Sequence, residues 1–273
     1  MSNPLLNDRA LGLGNLDADG RSRGESSTWM PPTPGDAQVL TDGPVSRWDK
    51  GVMTVSGTAS AAVMLLVLIL ASGTVTWFSI DDPTVSFPTG WVMGGLIVGV
   101  VAALVGTFKP RAARIAAPVY AIAEGIVLGA ISRAFEAEYD GIVLQAVGAT
   151  LAVFTVMLLL YRSKVIRVTD KFRRIVVGAT LGLMVFYGIS LLFALFGSAP
   201  SFINSAGPVG VLFSVFVAGL AAFNLALDFD LIERAAESRQ PAYMEWYCAL
   251  ALTVTLVWLY LEILRLLAKL REN

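Results

Sequence analysis

Five carboxylates interrupt long apolar runs in this chain, and they are the side chains with the most chemistry to offer. Glu124 stands in the middle of YAIAEGIVLG, Asp228 and Asp230 close the run NLALDFDLIE, Glu245 opens the last run in YMEWYC, and Glu262 lies near its far end in LYLEILR. An ionisable group at membrane depth costs roughly 2.5–3.5 kcal/mol on insertion scales, so it faces a partner or a cavity rather than lipid. Groups held this way take up protons or steer cations. Asn224 stands one turn before Asp228, and the two make a polar stripe on the sixth apolar run. Cys248, Thr255 and Glu262 recur every seven residues along the last run, which places them roughly on one stripe of a helix. A Thr and a Glu facing Asp228 would line a narrow polar path. The plainer alternative is hydrogen bonding between helices without transport.

Each acid also has a structural explanation. Asp230, with Glu233 and Glu237, is expected in a hydrated connection. Glu245 can cap the start of its own helix, where negative charge suits the dipole. Glu262 precedes Arg265 by three residues, so a local ion pair is available to it. Glu124 has no basic neighbour on its own run and is expected to face the interior of the bundle. Asp228, at the end of an apolar run, is the expected centre of any ion or proton chemistry.

Other chemistries are excluded by residue type. The chain has no His, which removes a His-based triad, a His zinc site and a His pH switch. Its single cysteine, Cys248, excludes an intramolecular disulfide or a Cys-rich metal site. No Lys lies at depth to activate a serine. Asp228 and Asp230 are two apart, so on a helix they point in different directions and do not form an aspartyl-protease pair. No phosphate loop or dinucleotide fingerprint occurs. The chain is therefore not expected to be an enzyme or to carry a cofactor. A net charge of −1 supplies no basic excess for nucleic acid.

The elements that must position these residues follow from composition. The 273 residues are 56% hydrophobic and only 15% charged, against about 25% charged in an average soluble domain. Apolar runs cover about 52–78, 91–108, 114–134, 141–161, 175–197, 208–229 and 243–268. Each supplies roughly the 20 residues that cross a 30 Å hydrocarbon core as a helix. Short connections punctuated by Pro separate several of them, as in DDPTVSFPTG, KP and SAPS. The runs are continuous and rich in Ala, Leu and Val, not alternating, which favours helices over a barrel. An all-α bundle of seven transmembrane helices is expected over 51–273, surrounded by the lipid bilayer. Small pairs at helical spacing, Gly95 with Gly99, Gly125 with Gly129 and Gly178 with Gly182, let helix backbones approach closely.

Positive charge sets the expected orientation. Lys109, Arg111 and Arg114 stand in or beside the second connection, and Arg162, Lys164, Arg167, Lys171, Arg173 and Arg174 around the fourth; the third has only Arg133. By the positive-inside rule the even connections and the N-terminal segment are cytoplasmic, and the C-terminus lies outside. Arg265, Lys269 and Arg271 run against this, and a shallow or re-entrant last span is the alternative. Residues 1–50, with MPPTPGD at 30–36, are expected to form a disordered cytoplasmic tail. They lack the pattern of a signal peptide, so the first span is expected to direct insertion.

The ending FNLALDFDLIERAAESRQPAYMEWYCALALTVTLVWLYLEILRLLAKL resembles the end of the Bax inhibitor-1/YccA family, the transmembrane Bax inhibitor motif proteins. With NPLLND and APVYAIAEGIVLGAIS it is most similar to the actinobacterial branch. The resemblance implies a seven-helix fold, six helices around a central seventh, in a bacterial inner membrane. It implies one of two roles. Some members are pH-responsive calcium leak channels; others associate with the membrane protease FtsH and restrain it without conducting. In the leak type, two aspartates on the sixth and seventh helices share a proton. Asp228 matches the first. Alignment back from Arg265 places the second at Thr255, a departure that removes the shared-proton pair. Glu262, Glu124 and Glu245 are the remaining acids that could stand in for it.

Overall fold

The computed structural model describes residues 51–81, 88–196 and 205–272. The tail expected over 1–50 and the SAPS connection lie outside the described residues. Seven long helices follow one another: α1 (Val55–Phe78), α2 (Thr89–Phe108), α3 (Ala113–Glu138), α4 (Ile142–Arg162), α5 (Asp170–Leu195), α6 (Pro208–Glu237) and α7 (Met244–Glu272). A short 3₁₀ turn, Pro110–Ala112, joins α2 to α3. Every helix is long and apolar enough to cross a membrane. The only pairing of extended backbone among the described residues is an isolated bridge between Val52 and Pro241.

Local signals explain the helix ends. Thr54 caps α1, its hydroxyl accepting from Gly57 N at 2.9 Å. Thr169 does the same for α5, accepting from Phe172 N at 3.2 Å. Glu136 turns its carboxylate to the N–H groups of Gly141 and Val143, at 2.7 and 3.0 Å, and so caps α4 from the preceding helix. Gly141 bends the chain there at φ +73°, a left-handed conformation that glycine adopts without steric cost.

The interior belongs to α3 and α7. In their spans 67% and 56% of residues are buried, against 11% for α5. α7 packs against α1, α2, α3, α4 and α6, so it is central as expected. α5 packs only on α6 and reaches α7 through side chains. α1 and α3 cross at backbone contact: a Cβ on Gly129 would come within 2.9 Å of Gly73 Cα. Small residues are what permit that approach.

The last apolar run forms one unbroken helix, with no re-entrant break. α7 is a continuous helix of 29 residues, about 43 Å long at 1.5 Å per residue. At its start Ala242 N donates to Gly51 O at 3.0 Å, and near its end Arg271 donates to Asp140 O at 2.7 Å. Gly51 and Arg271 thus mark opposite ends of the bundle. The basic residues that run against the charge asymmetry are engaged within the protein. Arg265 pairs with Glu262, and Lys269 is buried, donating to Gly210 O at 3.1 Å and Ser214 Oγ at 2.9 Å.

Candidate functional site

α6 and α7 run antiparallel and bring Asp228 and Thr255 to the same level. Counted at 1.5 Å per residue, Asp228 lies about 8 Å from the middle of α6 and Thr255 about 5 Å from the middle of α7, both toward the Gly51 end. Both therefore lie in the inner part of the bundle, away from the ends of their helices. The Thr255 hydroxyl lies close to the Asp228 carboxyl, and the Cys248 thiol, fully buried, lies near it. Asp228 Oδ2 is shut away from solvent and has no hydrogen-bond partner among the described residues. A buried carboxylate oxygen without a donor is costly, so this oxygen is the natural place for a proton or a cation to arrive.

Thr255 offers the carboxyl two states. Its hydroxyl also lies 3.2 Å from Ala251 O, to which it can donate. A hydroxyl has one proton and two acceptor lone pairs. When it donates to a charged Asp228 it releases the Ala251 carbonyl. When Asp228 is protonated, the acid donates to Thr255 and Thr255 donates to Ala251.

The other expected residues are distributed around this centre. Asn224 does not continue a stripe to Asp228; its amide donates to Thr180 Oγ1 and to Leu220 O, both at 2.9 Å, and fastens α6 to α5. Glu262 shares the stripe of Thr255 but lies about 6 Å past the middle of α7 on the Arg271 side, where it is already occupied. It is buried, 3% exposed, and accepts from Arg265 Nη1 at 3.1 Å and Tyr187 OH at 3.4 Å, with Trp258 a further donor. The local ion pair is therefore formed, and Tyr187 extends it to α5. Glu124 is buried in mid-bundle between α2 and α3, where a Cβ on Gly99 would stand 3.1 Å from its Oε2.

Two expectations are corrected. Asp230 is not in a hydrated connection, because α6 continues eight residues beyond Phe229. It pairs with Arg173 of α5 at 2.8 Å and with Arg234 one turn on, while Glu233 accepts from Tyr161 of α4. These partners allow the helix to outrun its apolar stretch. Glu245 caps α1, not its own helix: its Oε1 accepts from Thr54 N at 2.9 Å and Thr54 Oγ1 at 3.0 Å, across 191 residues. Lys269 was expected only as a charge opposing the orientation, and neither its buried contact with Ser214 nor the contact of Tyr187 with Glu262 was expected. A basic residue in the last turn of an apolar helix was the one signal of the first.

Seven apolar helices around a buried carboxyl define a multi-pass membrane protein with a polar centre. The family model described as "Bax inhibitor 1 like" matches residues 6–272, and the chain belongs to that family. No curated protein and no solved structure matches it.

Proposed function

We propose that the protein is a pH-responsive cation leak or sensing protein of a bacterial inner membrane, with calcium the expected ion and Asp228 its control point. The observation that carries this reading is the Asp228 carboxyl, half-buried, with one oxygen shut away from solvent and unpartnered and a two-way Thr255 hydroxyl beside it. Protonation of Asp228 removes a charge and reverses the hydrogen bond to Thr255, so any contact that holds α6 to α7 changes with it. With Thr255 opposite, no second carboxylate shares the proton, and the strong coupling of an acid pair is lost. The response is then a single shallow transition. Among the described residues no group of three or more His, Cys, Asp or Glu could hold a metal ion; on this reading a passing cation would meet Asp230 near one end, then Asp228, then Glu262. The even connections and the N-terminal segment face the cytoplasm, as charge asymmetry requires.

A second reading, a non-conducting modulator of a membrane protease, is favoured by α5. It packs on α6 alone, and Gly178 and Gly182 have open space over them, a surface a partner helix could approach. Calcium flux into proteoliposomes across about pH 5 to 8, the physiological titration window, separates the two. Wild type is expected to leak, Asp228→Asn to lose the pH response, and Thr255→Asp to steepen it. Absence of flux at every pH leaves the modulator reading.

A further inference from the structure

A groove opens toward lipid between α1 and α4, which do not touch each other; α3 and α7 lie behind and form its floor. It encloses about 550 Å³ and is walled by Leu70, Thr74 and Trp77 of α1 and Val147, Leu151 and Phe154 of α4. The floor carries Ser132 and Tyr260, whose hydroxyls bond each other at 2.6 Å, so the surface it offers is apolar. The groove follows α1 from Leu66 to Phe78. Those twelve steps span about 18 Å, close to the roughly 15 Å that is half of a hydrocarbon core. The groove is therefore long enough to run from headgroup level to the bilayer midplane, the depth of one leaflet.

A cation stands at its outer end. The Arg133 guanidinium lies 5.6 Å from the centre of the Trp77 ring and donates to the backbone carbonyls of Asp81 at 3.1 Å and Ile80 at 3.4 Å. No carboxylate among the described residues pairs with it. Glu136, one turn on, spends its carboxylate on Gly141 and Val143. An arginine has five N–H donors in a fork that fits phosphate, and tryptophan settles at the membrane interface.

We infer that this groove holds one acyl chain of an anionic phospholipid, with the lipid phosphate on Arg133. Lipid tails are as apolar as Leu, so moving a chain from bilayer to groove supplies no hydrophobic drive. Selection of one lipid rests on the Arg133 charge and on a slot that admits a single chain. Such a lipid would bridge α1 and α4 where protein contact is lacking.

The test is native mass spectrometry of the full chain, delipidated in mild detergent and supplied with palmitoyl-oleoyl phosphatidylglycerol or the phosphatidylcholine of the same chains. Wild type should retain one phosphatidylglycerol per protomer and prefer it at least roughly tenfold, the discrimination one charged contact supplies. Leu70→Trp and Val147→Trp fill the slot from its two walls, at positions 63% and 36% exposed; each should abolish retention. Arg133→Gln should bring phosphatidylglycerol down to the phosphatidylcholine level. Leu181→Trp, on the exposed side of α5, should change nothing and reports whether tryptophan at a lipid face disturbs the fold. Wild-type retention in both groove variants, an unchanged preference in Arg133→Gln, or equal loss in Leu181→Trp would each overturn the inference.

Discussion

Glu245 ties the starts of two helices together, and a substitution at Gly57 should reveal it by a change of sign. Gly57 is the third residue of α1, and a Cβ there would overlap the Glu245 carboxylate. Replacing a helical Gly by Ala ordinarily stabilises by up to about 1 kcal/mol. The carboxylate, half-buried, accepts two hydrogen bonds from Thr54. Bonds to charged groups contribute about 1.5–3 kcal/mol each when shielded; with solvent access the pair is worth roughly 1–2 kcal/mol together. Gly57→Ala displaces that carboxylate, so in the wild-type background it should be neutral or destabilise by up to about 1 kcal/mol. In a Glu245→Ala background nothing remains to displace, and the same change should stabilise by up to about 1 kcal/mol. Reversible unfolding in mixed micelles, run as a double-mutant cycle, measures the coupling. Equal effects in both backgrounds would refute the account of how α1 and α7 begin.

Other outcomes follow from the same contacts. Arg265→Met strands the buried Glu262 carboxylate and should destabilise by about 3 kcal/mol or more, while Arg265→Met with Glu262→Met should recover most of that loss in the same unfolding assay. Asp230→Asn removes one of the ties between α5 and α6 and should cost about 1 kcal/mol, with faster amide exchange in α5 than in α3. Cys248, fully buried, should resist a membrane-permeant maleimide in the native state and react once the protein is unfolded.

The spans were legible because hydropathy alone marks what can sit in hydrocarbon. Starts such as Pro208 and ends such as Phe78 and Phe108 fall where expected. The ends that moved did so for partners a linear pattern cannot show. α6 runs on to Glu237 because Asp230 and Glu233 find Arg173 and Tyr161 on other helices. The opposition of Asp228 and Thr255 was legible through family resemblance, and the antiparallel packing of α6 on α7 sets the two side chains together. The capping of α1 by Glu245 was not, since nothing in either segment signals a partner 191 residues away. Asn224 was misassigned because two residues one turn apart share a helix face yet can still address different neighbours: α5 for Asn224, α7 for Asp228.

The central claim is that Asp228 takes up a proton against Thr255. Infrared difference spectroscopy of the reconstituted protein on acidification tests it most directly, through the carbonyl stretch of a protonated carboxyl. The account predicts a band that vanishes in Asp228→Asn and shifts in Thr255→Val, where the acid has lost its acceptor. A band unchanged in Asp228→Asn would assign the proton elsewhere and contradict the account.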